Sequence, residues 1–76
     1  MNKKLYDFCL ELNKVKGMNF SVIALDDHTV ELHFNEKAFD LVTDDNGRTC
    51  KKFEKLIEKY SLVDDLIRYK CIEISC

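Results

Sequence analysis

The apolar residues of this chain change period more than once, and that leaves few folds open. Leu5, Phe8, Cys9, Leu12 and Val15 recur at helical steps, and Gly17 follows as a stop. Val30, Leu32 and Phe34 then alternate with Glu31 and His33, the two-residue period of a half-buried strand. Cys50, Phe53, Leu56, Ile57 and Tyr60 return to helical spacing, and Ile72 and Ile74 alternate near the end. A chain of 76 residues has room for one core, so helices and sheet must share it. The expectation is a single α+β domain over residues 1–76. It has an antiparallel sheet of three to four strands, two main helices on one face, and the order α-β-β-(β)-α-β.

The spacing predicts a helix over 3–16. A buried strand is expected over 18–25, turn chemistry at Asp26, Asp27 and His28, and a strand over 30–34 that closes a hairpin. Residues 35–43 admit two readings. Asn35 caps a short helix with Glu36 in its first turn, or 38–43 is a third strand; the shortness of the segment favours the strand. Asp44 to Gly47 is a loop, and a helix follows over 48–60. Ser61 with Asp64 three residues on resembles a capping box, which predicts one or two helical turns over 62–67. A strand over 69–75 with Ile72 and Ile74 inward completes the chain.

Charge is divided along the sequence. Residues 17–47 hold one lysine against seven acids: Asp26, Asp27, Glu31, Glu36, Asp40, Asp44 and Asp45. In the helix over 48–60, Arg48, Lys51, Lys52, Lys55 and Lys59 fall within an arc of roughly 100° beside the apolar face. The net charge of −2 gives no bulk attraction to nucleic acid or anionic membrane, so electrostatic binding must come from a local patch. The longest apolar run, residues 22–25, is far from the ~20 residues of a membrane helix, and Asp7 and Glu11 interrupt any leader-like N-terminus. A cytoplasmic setting with four reduced cysteines is expected.

No motif names a chemistry. Cys9, Cys50, Cys71, Cys76, His28 and His33 lack CxxC or HxxxH spacing, and no D-x-D-x-D-G loop is present, so neither metal nor cofactor is expected. Cys71 and Cys76 are five apart, as are His28 and His33, which puts each like pair on opposite strand faces. A Cys71–His33 dyad would require neighbouring strands, and no catalytic residue is assigned.

The stretch from Thr29 to Lys55, TVELHFNEKAFDLVTDDNGRTCKKFEK, resembles the strand-strand-helix half of a double-stranded RNA-binding domain. Lys51, Lys52 and Lys55 match the lysine spacing at the start of that family's last helix. His28 stands where the family often has a histidine, and Asp7 replaces a family glutamate. Glu54 departs from it at a buried alanine position. The resemblance implies an α-β-β-β-α order, and lysines at 51, 52 and 55 that grip phosphates.

The reading of the residues themselves is a small non-enzymatic binding protein that occludes a surface of a larger protein partner. Asp26, Asp27, Asp44 and Asp45 would imitate phosphates in the basic channel of a nucleic-acid-binding protein. Phage- and mobile-element-encoded inhibitors of host nucleases and CRISPR effectors are proteins of this class. The alternative is a nucleic-acid binder using Arg48, Lys51, Lys52, Lys55 and Lys59. No membrane contact is expected, and no pattern sets an oligomeric state.

Overall fold

The computed structural model describes residues 1–76. Its elements are α1 (Lys3–Asn13), β1 (Phe20–Ala24), β2 (Thr29–Phe34), α2 (Glu36–Val42), α3 (Lys51–Lys59), β3 (Val63–Arg68) and β4 (Cys71–Ser75). The strands form one antiparallel sheet in the order β1-β2-β4-β3. The α+β architecture and single core follow the sequence reading, and no helix is long and apolar enough to cross a membrane.

The core is built on one side of the sheet. Val30, Leu32 and Phe34 of β2, with Ile72 and Ile74 of β4, face Leu5, Phe8 and Leu12 of α1. Ala38 and Val42 of α2 and Phe53 and Ile57 of α3 complete the layer. Burying a side chain of this size contributes about 1.5–3 kcal/mol. Phe53 meets Phe8 and Phe34 at ring-centroid distances of 5.9 and 6.4 Å, so α3 is fastened to both α1 and the sheet. The strand expected at 18–25 is present as Phe20–Ala24 but is not buried: Phe20 and Val22 are only half-buried, because β1 is an edge strand.

Two segments depart from expectation. Residues 38–43 are not a third strand: Asn35 Oδ1 accepts from the Ala38 N–H at 2.8 Å and caps α2, as its cap signal allowed. Ala38 and Val42, four apart, then bury one helical face. The α-β-β-β-α order implied by the RNA-binding resemblance is therefore absent. Residues 62–67 are not helical either. Ser61 lies at φ 54, the left-handed region, whereas an N-cap needs extended backbone. It ends α3 instead: Leu62 N–H reaches Ile57 O and Ser61 N–H reaches Glu58 O, both at 3.0 Å. That is a Schellman closure, with Leu62 packed in the same core as Ile57. The chain leaves it extended, as β3.

β3 carries a bulge between Asp64 and Leu66. Asp64 pairs with Ile74 and so belongs to the core side, while Leu66 pairs with Glu73 on the other face. The extra residue, Asp65, restores Ile67 to the core side and turns Arg68 outward beside Cys71.

Candidate functional site

The helical side presents an apolar cavity of about 120 Å³ between the three helices. Leu12 of α1, Val15 just after that helix, Leu41 of α2 and Phe53 and Leu56 of α3 line it, with Lys52 at its edge. Leu41 and Val15 are about half exposed, at 48% and 46%. Lys51, Lys52 and Lys55 are exposed and form no ion pair, and Lys14 and Lys16 flank Val15. The other flank of α3 has the opposite sign. Glu54 and Glu58 face Asp64 across a shallow depression, where the Thr49 hydroxyl lies 3.1 Å from Glu54 Oε1.

Two members of the basic stripe leave it. Arg48 precedes α3 and takes part in the loop, its N–H donating to Asp44 Oδ1 at 3.0 Å. Lys59 is engaged with α1: Lys59 Nζ and the Tyr60 hydroxyl both donate to Glu11 Oε1, at 2.7 and 2.6 Å. These two donors hold the Glu11 carboxyl below its ordinary range, and Glu11 in turn raises Lys59 and Tyr60.

The four aspartates do not converge. Asp27 O accepts from the Asn2 N–H at the start of α1. Asp44 and Asp45 follow α2, whose end packs against the other end of α1 near Val15 and Met18. Asp26 Oδ1 accepts from the His28 N–H at 2.7 Å, the main reason its carboxyl is held low. Asp44 Oδ1 accepts from Asn46 N–H and Arg48 N–H. Both are therefore engaged in their own turns, and Asp27 and Asp45 are exposed.

The uncovered face of the sheet carries a cluster the sequence reading did not assemble. His33 of β2 pairs directly opposite Cys71 of β4, and Glu31 lies two residues along β2 on the same face. His33 Nε2 is 3.1 Å from Glu31 Oε1 and 3.8 Å from Cys71 Sγ. Arg68 Nη2 donates to Glu31 Oε2 at 2.7 Å and reaches Cys71 Sγ at 3.4 Å. The His33 and Arg68 contacts lower the Glu31 carboxyl, and contacts with Cys71 and then Glu31 raise Arg68. The strands do neighbour each other, yet the dyad is not a relay. One ring nitrogen faces both the sulfur and the carboxylate, whereas a relay uses opposite nitrogens.

The signal for this cluster was the repeated spacing of five. His33 in β2 with His28 just before it, and Cys71 in β4 with Cys76 just after it, become two mixed pairs once the strands run antiparallel. His28 Nδ1 is 3.7 Å from Cys76 Sγ, and the Asn2 amide also reaches that sulfur. Cys9 and Cys50 stand apart from both. Burial pushes the Cys9 thiol up to about 11, and the Cys50 thiol donates to Leu41 O at 3.3 Å.

No family model, curated protein or solved structure matches this chain.

Proposed function

We propose that this is a small non-enzymatic binding protein that occludes a surface of a larger protein partner. The reading rests on one observation, an apolar cavity among the helices with the unpaired Lys52 at its border and the unpaired Lys51 and Lys55 on the same helix. Apolar area supplies affinity and the cations select an acidic neighbour. The matching occupant is a segment of the partner with an apolar face and acidic flanks. The inhibitor class described from the charge division remains the biological setting of the proposal. Its mode changes: the separated aspartates support phosphate imitation less well than the groove supports an acidic segment.

Three full-length proteins test this: the parent, Leu41→Asp, and Lys51→Gln/Lys52→Gln/Lys55→Gln. All four positions are on the surface, so each substitution should shift stability by less than about 0.5 kcal/mol. The expected result is a protein captured from lysate by the parent, lost with Leu41→Asp, and weakened by the lysine variant in a salt-dependent way. Capture indifferent to both variants would overturn the reading. So would tight binding of generic duplex RNA lost with the lysine variant but kept by Leu41→Asp, the outcome that favours phosphate recognition by Lys51, Lys52 and Lys55.

A further inference from the structure

Glu31, His33 and Cys71 direct Oε1, Nε2 and Sγ toward one another on the uncovered sheet face, all within 4.8 Å. The ladder fixes this meeting. Glu31 and His33 share a face of β2, and β4 sets Cys71 opposite His33, with no loop involved. A zinc ion holds nitrogen at about 2.0–2.1 Å, oxygen at about 2.0–2.2 Å and sulfur at about 2.3 Å. In a tetrahedron those bonds set nitrogen about 3.4 Å from oxygen and about 3.6 Å from sulfur. The distances here, 3.1 and 3.8 Å, differ from these by a few tenths of an ångström. The third edge, Glu31 Oε1 to Cys71 Sγ, lies within 4.8 Å against about 3.6 Å in the tetrahedron, so admitting an ion draws these two side chains together over a fixed ladder.

The surroundings suit this chemistry. Glu31 divides its carboxylate, with Oε1 toward the other donors and Oε2 held by Arg68 at 2.7 Å, the kind of outer partner that orients a ligand. Cys71 is only 7% exposed, so its sulfur is held in the face. Arg68 also reaches that sulfur, and a bound cation would take over this contact. A sulfur, an imidazole and a carboxylate together select a borderline-soft ion over magnesium or calcium. The His28–Cys76 pair supplies a control, because no third donor joins it.

We propose that Glu31, His33 and Cys71 form a binding site for a borderline-soft divalent cation, zinc(II) foremost, with a fourth position facing solvent. The thiol proton leaves to solvent as the sulfur–metal bond forms, and no electron is transferred. The site is independent of the groove between the helices.

Metal-free full-length protein titrated with zinc(II) and cobalt(II), followed by calorimetry and absorption, tests it. One equivalent should bind, and cobalt(II) should show a sulfur-to-metal charge-transfer band. Cys71→Ser should abolish that band. His33→Gln and Glu31→Gln should each weaken binding by more than about tenfold, while Cys76→Ser leaves it unchanged. The His33 side chain is 40% exposed, so its variant remains informative if Cys71→Ser does not fold. Failure to take up one equivalent would overturn the proposal. Uptake unmoved by His33→Gln, or lost with Cys76→Ser instead, would overturn it too.

Discussion

The two sides of the molecule build their exposed surfaces by opposite means. Around the groove on the helical side, away from the Glu11–Lys59–Tyr60 contacts, side chains stand side by side with little tying them together: Lys51, Lys52 and Lys55 are unpaired, and Leu41 is half exposed. On the sheet side, Glu31, His33, Arg68 and Cys71 are joined by short polar contacts over a rigid ladder. A surface of loose long chains adapts to a partner, at the entropic cost of ordering them. A connected cluster is preorganised for something small. The same 76 residues therefore offer an adaptable face and a fixed one, separated by a single core.

The strongest way to break this comparison is through the core that both faces share. Phe53→Ala removes a ring touching Phe8 and Phe34 and should destabilise by about 3–5 kcal/mol; Leu32→Ala, in the sheet, should cost about 2–5 kcal/mol. Urea unfolding measures both. In a domain this small each loss should weaken both faces together, so a variant that unfolded one alone would show two independent units.

A smaller effect separates the faces. Asn35→Ala removes the cap of α2 and should cost about 1 kcal/mol. Amide exchange should quicken within α2, beneath the groove. The amides of the central β2–β4 pair under the polar cluster should exchange at the parent's rate. Equal acceleration of both would mean that α2 is an integral support of the sheet.

The smallest effect compares two carboxylates, one on each side. Glu11 is held low by Lys59 and Tyr60, and Glu31 by His33 and Arg68. A carboxyl whose folded pKa lies below its unfolded value stabilises the fold above the unfolded value, near 4.5. That contribution is lost as pH falls through the folded value. Urea midpoints of the parent should therefore decline on acidification from about pH 4.5 downward, and Glu11→Gln and Glu31→Gln should each flatten the decline. An unchanged profile in Glu31→Gln would show that its contacts with His33 and Arg68 do not persist in solution.

Much of the helical side was legible in advance because its information is local. Residues three and four apart share a helix face whatever the rest of the chain does. The Leu5–Phe8–Leu12 stripe and the Phe53–Ile57 stripe both bury as their spacing requires. The cap signal at Asn35 was also present, but nine residues carried a strand pattern about as well as a helical one. Burial of Ala38 and Val42 decided between them. Ser61 misled for a related reason. Its side chain fits an N-cap, yet its backbone is left-handed because Leu62 returns to Ile57.

By itself, the sequence determined the α+β class, the single core, the alternation in β2 and the charge division, since each depends on neighbours along the chain. Only the tertiary structure decided which charges were free and which polar groups met. Lys59 left the basic stripe because Glu11, 48 residues away, accepts a hydrogen bond from its ammonium. His33 met Cys71 because β2 and β4, 38 residues apart at that pair, align in one antiparallel register. The bulge in β3 then turned Arg68 onto the same face. Strand register is set by pairing between distant segments, and a one-residue shift would send these side chains to opposite faces.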